Sequence, residues 1–341
     1  MRAAILVKSN KPLIVSEIEL PKKLSFGQVL VKVAYSGICG AQINEIDAIK
    51  GPDKFLPHLL GHEGSGVVEK IGEGVTTVKR GDHVVLHWRK SDGIQCTPPK
   101  YKWRGNQINA GWVTTFNEKA IISENRLTVI PKDISLKTAA LFGCAVTSGF
   151  GAVNNDANVK IGQSILIYGL GGMGLNIAYA ASLVSAYPIV GIDLYKSKIN
   201  LAKKFGLTHG IIANSKNIKK KLTKIFDNKS PEIVFETTGK SKIMEKAFDI
   251  TPSDGKTVFV GVPDNNISIY SLPLAFKKKL LVSHGGNSIP DKDIPRYIRL
   301  MKRKKLNINK LITHEFSLSD INKAIKLFRS GKAGRIIIKI N

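Results

Sequence analysis

The hexapeptide Gly169-Leu-Gly-Gly-Met-Gly174 constrains this chain more than any other stretch. Gly169, Gly171, Gly172, Met173 and Gly174 fit a G-x-G-x-x-G turn, which says little alone and much in context. SILIY before it reads as a buried strand, LNIAYAASLV after it has helical periodicity, and Asp193 closes the next apolar run about 20 residues on. Glycines suit this turn because it is tight and its backbone must approach a pyrophosphate, whose charge meets the N-terminus of the following helix. A tight turn with no ligand would explain the glycines, but not the strand, helix and acid together. The segment is therefore expected to bind a dinucleotide. Asp193 would hydrogen-bond the ribose hydroxyls and repel a 2′-phosphate, so NAD is expected over NADP, and Lys198 can reach the same ribose.

From Ser164 the chain repeats strand, turn and helix: PIVGIDL, LYKSKINLAKKFG, GIIAN, a basic helix, EIVFETTG and TVFVGV. That alternation predicts a doubly wound parallel sheet. Residues 1 to about 130 differ, with short β-branched runs such as VLVKVAYSG, GSGVVEKIG and GDHVVLHW separated by Gly, Pro and Asp turns. This is the pattern of an antiparallel, barrel-like domain. After His284 the helix IPRYIRLMKRKK, the strand ITHEFS, the helix SDINKAIKLFRSG and the strand RIIIKI follow. A chain of 341 residues is long for one core, so two domains are expected.

No apolar run reaches the roughly 18 residues that a bilayer span needs, and MRAAILVKSNKPL reads as a first strand rather than a leader. No membrane partner and a cytoplasmic location are expected. Cys39, Cys96 and Cys144 lie far apart and do not form the paired framework of a small secreted protein. The net charge of +26 would suit an anionic partner. Its lysines are scattered, however, and the densest runs, such as SKNIKKKLTK and LMKRKKL, have no interleaved aromatics. A solvated basic surface is the better reading, with no dedicated nucleic-acid partner.

Catalytic zinc takes three protein ligands, usually Cys and His, and keeps a fourth position open. Candidates are Cys39 in GICGAQINE, His62 and Glu63 in LGHEGSG, and Cys144 in LFGCAVTSG. Taken singly, a lone Cys is most often a small buried hydrophobe and a lone His a core or surface group.

Together these residues resemble the zinc-dependent alcohol dehydrogenases of the medium-chain dehydrogenase/reductase superfamily, over nearly the whole chain. The family's G-H-E-x-x-G-x(5)-G-x-x-V signature falls on Gly61, His62, Glu63, Gly66, Gly72 and Val75. The resemblance implies catalytic zinc ligands at Cys39, His62 and Cys144, with Glu63 as an alternate or supporting ligand. It also implies Ser148 near the nicotinamide, Val260 and Val262 presenting backbone groups to the carboxamide, and Arg335 facing the pyrophosphate. The architecture it implies is an α/β protein with two parts. A GroES-like β-barrel catalytic domain would comprise residues 1–149 and 287–341, and an NAD-binding Rossmann domain residues 150–286. The active site would lie in the cleft between them, and a homo-oligomer, dimer or tetramer, is expected.

This chain departs from the family pattern in three places. Many relatives carry a four-cysteine lobe with a structural zinc, but between Trp88 and Ala110 only Cys96 is present, so one catalytic zinc and no structural zinc are expected. Where relatives use an acid to orient the ligand His, this chain has Gln42, a weaker support for the ligand's basicity. Where relatives begin a proton relay with a hydroxyl, it has Ala41, followed by Asn44 in place of a relay His. The expected activity is NAD-dependent oxidation of an alcohol or reduction of its carbonyl partner. Gln42, Trp88 and Arg89, with His87 and Lys90, would face the substrate and favour a polyol or sugar-derived alcohol. Two alternatives remain: a zinc-free quinone-reductase-like enzyme, which the ligand cysteines argue against, and a catalytically silent dinucleotide-binding protein that binds RNA.

Overall fold

The computed structural model describes residues 1–341, which divide into two compact units: Met1–Cys144 with Ile289–Asn341, and Ala145–Ser288.

In the second unit every strand is parallel. The sheet order is His209–Ile212, Ile189–Asp193, Ile165–Tyr168, Ile233–Glu236, Lys256–Phe259 and Lys279–Val282. Helices Gly172–Leu183, Lys196–Lys203, Ile218–Ile225 and Ser241–Ile250 supply the crossovers that parallel pairing requires. Ile165, Leu166, Ile167, Ile233, Val234 and Phe235 are buried without alternation, as expected for strands covered on both faces. The strand order reverses between Ile165–Tyr168 and Ile233–Glu236, and in such sheets ligands bind beyond the carboxyl ends of the strands at that point. The glycine turn lies there. Gly169 has φ 85°, and a Cβ on Gly174 would come within 1.9 Å of the Gly169 carbonyl oxygen. The first requires the left-handed region and the second forbids any side chain.

The first unit is mostly antiparallel. Its large sheet runs Leu127–Ile130, His83–His87, Glu63–Ile71, Gln28–Gly37, Arg335–Lys339 and Ile312–Ser317, and Lys119–Ser123 also pairs with Gln28–Gly37. Leu6, Val29, Val31, Val33, Val84, Leu86, Ile122, Ile336 and Ile338 share one core within it. Two features depart from a purely antiparallel barrel. Ile312–Ser317 and Arg335–Lys339 pair in parallel across the helix Ile321–Arg329, and a small sheet of Ile14–Glu17, Arg2–Leu6 and His58–Leu59 stands apart. No single helix is long and apolar enough to cross a membrane.

Candidate functional site

Cys39 ends the run that follows strand Gln28–Gly37 and caps the helix Gly40–Ile46. His62 immediately precedes strand Glu63–Ile71, which pairs with Gln28–Gly37, so two adjacent strands bring these side chains together. Cys144 follows the buried turn Ala140–Gly143. The ligating atoms of Cys39, His62 and Cys144 lie within 4.8 Å of one another. The Cys39 and Cys144 sulfurs are 4.0 Å apart, too far for a disulfide. With Zn–S bonds of 2.3 Å, tetrahedral geometry separates two sulfurs by about 3.8 Å. His62 Nε2 is buried and has no hydrogen-bond partner. A buried imidazole nitrogen without a partner, beside two thiols at this spacing, fits a zinc ion.

The Cys39 thiol is held well below its ordinary value. The hydrogen bond with Cys144 is the main cause, and His62 and the Arg335 charge add to it against the opposing effect of burial. Thiolate is the form that ligates a metal.

Gln42 supports both Cys39 and His62. Its Oε1 accepts the Cys39 backbone N–H at 2.8 Å, and its Nε2 lies in short contact with His62 Nδ1. Glu63 is fully buried and forms an ion pair with Arg335, which is 3 % exposed. Gly37 makes room for that carboxylate, since a Cβ there would come within 2.4 Å of Glu63 Oε1. Arg335 thus stands in the first unit, engaged with Glu63, and its Nε has no partner.

Trp88 and Arg89 follow strand His83–His87, whose register pairs His87 with Glu63. The Arg89 guanidinium lies 5.8 Å from the Trp88 ring centre, and Arg126 donates to the Trp88 carbonyl at 2.7 Å. His87 bonds the Arg89 carbonyl through Nδ1 and the Thr128 hydroxyl through Nε2. Burial pushes its pKa down to about 4, so it is neutral at physiological pH.

In the second unit Gly171 caps the helix Gly172–Leu183, which begins with Gly172, Met173 and Gly174. Asp193 ends strand Ile189–Asp193. Its Oδ2 accepts the Leu170 N–H at 2.7 Å and its Oδ1 the Tyr195 N–H at 2.9 Å. Each oxygen keeps a lone pair for a further donor. Lys198 Nζ lies over the Tyr195 ring at 5.4 Å, beside the turn. Ser148 is buried in the helix Ala145–Gly151, and its hydroxyl has no partner. Val260 donates its N–H to the Glu236 carbonyl at 2.8 Å, and Val262 is exposed.

Glu236 and Thr237 escaped the reading of the sequence. Thr237 donates its hydroxyl to the carbonyls of Tyr168 and Gly169, knitting the glycine turn to the next loop. The available signal was EIVFETTG, an acid at the carboxyl end of an otherwise apolar strand.

Comparison with known proteins agrees with this geometry. The profile of the alcohol dehydrogenase GroES-like domain matches residues 25–132, and that of the zinc-binding dehydrogenases matches residues 172–303. The chain is 32% identical to alcohol dehydrogenase-like 2 of Arabidopsis thaliana, over 99% of this chain and 95% of the relative. It is 30% identical to alcohol dehydrogenase 2 of Oryza sativa subsp. japonica, over 100% of this chain and 97% of the relative. Among solved structures, benzyl alcohol dehydrogenase from Acinetobacter calcoaceticus superposes with a TM-score of 0.89 at 27% identity, covering 100% of this chain and 99% of that one. The GroES-like and parallel-sheet domains, the cysteine–histidine cluster and the full-length similarity together make this chain a member of the zinc-dependent alcohol dehydrogenase family of medium-chain dehydrogenases/reductases.

Proposed function

We propose that this oxidoreductase uses NAD(H) and one zinc ion to interconvert a polyhydroxylated or sugar-derived alcohol and its carbonyl compound. The observation that carries the reading is the convergence of Cys39, His62 and Cys144, with His62 Nε2 buried and unpartnered. Bound there, zinc would polarise the substrate oxygen, while the nicotinamide would exchange a hydride with the carbon that bears it.

The rest falls to the chain's own side chains. Cys39, His62 and Cys144 are the ligands, and Gln42 orients the imidazole. Glu63, held by Arg335, places a buried negative charge beside the ligands and is the alternate ligand. Asp193 sets the preference for NAD by occupying the place of a 2′-phosphate, with Lys198 beside it. Ser148 offers an unpartnered hydroxyl to the nicotinamide end, and Val260 and Val262 offer backbone groups. For Arg335, whose Nε is unpartnered, the family resemblance implies a role toward the pyrophosphate.

Trp88 and Arg89 present an aromatic face and a cation that suit a polar, extended alcohol better than a small apolar one. Ala41 has no hydroxyl to start a proton relay, so the alcohol proton leaves through bound water or through a neighbouring hydroxyl of the substrate.

A homo-oligomer is supported by the edge strand Lys279–Val282, which pairs on one side only, and by exposed Tyr270, Leu272, Phe276 and Val282. Three cysteines without a disulfide suit the reducing cytoplasm.

The test is a panel of mono-alcohols, polyols and sugar alcohols, each offered with NAD and with NADP while reduction of the cofactor is followed. Turnover of polyols with NAD above all other pairs is expected. A preference for ethanol over every polyol, or equal kcat/KM with both cofactors, would overturn the substrate or the cofactor assignment respectively.

A further inference from the structure

Glu236 is a fully buried carboxylate at the carboxyl end of strand Ile233–Glu236, in register with Tyr168 across the point where the strand order reverses. Burying a carboxylate is costly unless its oxygens are hydrogen-bonded, and an apolar side chain would serve the core better there. Its partners belong to the loop that follows. The carboxylate accepts the Thr238 N–H at 2.6 Å, the Thr238 hydroxyl in a short contact and the Gly239 N–H at 3.2 Å. Its backbone carbonyl serves a second loop, accepting the Val260 N–H at 2.8 Å and the Gly261 N–H at 3.1 Å. One residue therefore grips the segments that leave two neighbouring parallel strands, Ile233–Glu236 and Lys256–Phe259.

The two segments also touch. A Cβ on Gly261 would come within 2.2 Å of the Gly239 nitrogen and 2.9 Å of Glu236 Oε2, and a Cβ on Gly239 within 2.2 Å of the Val262 carbonyl oxygen. Thr237, between the carboxylate and Thr238, ties the same assembly to the glycine turn. No ion pair compensates the charge of Glu236, and burial pushes its pKa up despite the hydrogen bonds from Thr238 and Gly239.

We propose that Glu236 is the positioning residue for the nicotinamide half of the dinucleotide. Its carboxylate shapes Thr238–Gly239 and its carbonyl shapes Val260–Gly261, so the backbone groups around Val260 and Val262 are held ready for the carboxamide. The inference rests on the dinucleotide reading above. It assigns no part to the adenosine half, which the turn at Gly169–Gly174 and Asp193 serve. An acid that only stabilised the unit would affect both halves alike.

The experiment uses the full chain and two ligands, NADH and ADP-ribose, titrated by calorimetry against the unmodified protein and against Glu236→Gln, Thr238→Val and Thr238→Ser, with melting temperatures in parallel. Glutamine keeps the shape but turns an NH₂ group toward a backbone N–H, so the Kd for NADH should rise about tenfold while that for ADP-ribose changes less than about twofold. Thr238→Val should weaken NADH about threefold with the same selectivity, and Thr238→Ser, which keeps the hydroxyl, should restore it. The Thr238 pair decides the matter if Glu236→Gln does not fold. Unchanged NADH affinity, or equal weakening of both ligands, overturns the proposal. An unmodified protein that binds neither ligand overturns the dinucleotide reading, and this inference with it. If it binds both and the variants lack the selectivity, only this inference falls.

Discussion

Gln42 has one amide oxygen for two tasks. That oxygen takes the Cys39 N–H, which leaves the NH₂ group against His62 Nδ1. A histidine that ligates through Nε2 keeps its proton on Nδ1 and needs an acceptor there, so metal binding favours the opposite face of the amide. A carboxylate would serve both N–H groups. Gln42→Glu should therefore tighten zinc about tenfold, read by competition with a chromogenic chelator, and an unchanged or weaker affinity would show that Gln42 does not limit the ligand. Ala41, exposed at the start of the same helix, supports a second prediction. A hydroxyl there supplies a relay that simple alcohols lack and polyols carry themselves. Under the proposed polyol specificity, Ala41→Ser should raise kcat/KM for mono-alcohols by about tenfold and for polyols much less. Equal gains measured in parallel would refute relay by the substrate. Both side chains stood out in the sequence because they break a family pattern, but the divided loyalty of the Gln42 amide appears only once Cys39 and His62 are seen on the same side chain.

The segment after Trp88, where relatives fold a cysteine lobe, is held here by polar contacts with Ser123–Arg126. Ser91 donates its N–H to the Asn125 carbonyl, Asn125 donates to the Ile94 carbonyl, and Cys96 donates to the Ser123 hydroxyl at 2.9 Å. Glu124 collects the N–H groups of Thr76, Thr77 and Ile94 and the Thr77 hydroxyl. Burial opposes its charge, but these bonds outweigh that and hold the carboxyl below its usual range. Glu124→Gln should cost about 1–3 kcal/mol in urea denaturation near neutral pH. Because the folded pKa is depressed, this contribution is complete above the unfolded value of about 4.3 and is lost as pH falls through the folded value. The gap between the two proteins should therefore close in acid; a gap independent of pH would mean that the charge is not what holds the segment. The stretch RGNQINAGW is another element whose role only pairing reveals. Tyr101–Trp103 and Asn106–Ile108 form a hairpin around Arg104 and Gly105, both at positive φ. The hairpin buries Tyr101 and Ile108 in the small core of Ala3, Ile5, Leu59 and Ile121. Alternation over three residues is too short a signal to separate a strand from a loop.

For the whole molecule, only Cys39, His62 and Cys144 bring three metal-ligating side chains together. We expect one zinc per chain by elemental analysis; two would require a second ligand set. Chelation should leave the far-UV circular dichroism of the chain nearly unchanged, because the parallel sheet and its core of Leu166, Val190, Val234 and Phe259 contain none of the three ligands. A cooperative loss of structure on chelation would contradict this. The parallel unit was legible in the residues alone, since buried strands, a tight glycine turn and helical periodicity arise from sterics and burial within about a dozen residues. The sequence also marked the ligand candidates by residue type and by resemblance. How those residues meet depends on the folded chain. Arg335–Lys339 pairs with Gln28–Gly37 from the far end of the chain, and that pairing carries Arg335 to Glu63. Strand His83–His87 brings His87 beside Glu63, and the parallel pairing of Ile233–Glu236 with Lys256–Phe259 sets Glu236 beneath two loops at once. Such contacts depend on register between segments distant in sequence, and no local periodicity encodes them, because each strand's pattern specifies which face is buried but not which partner covers it.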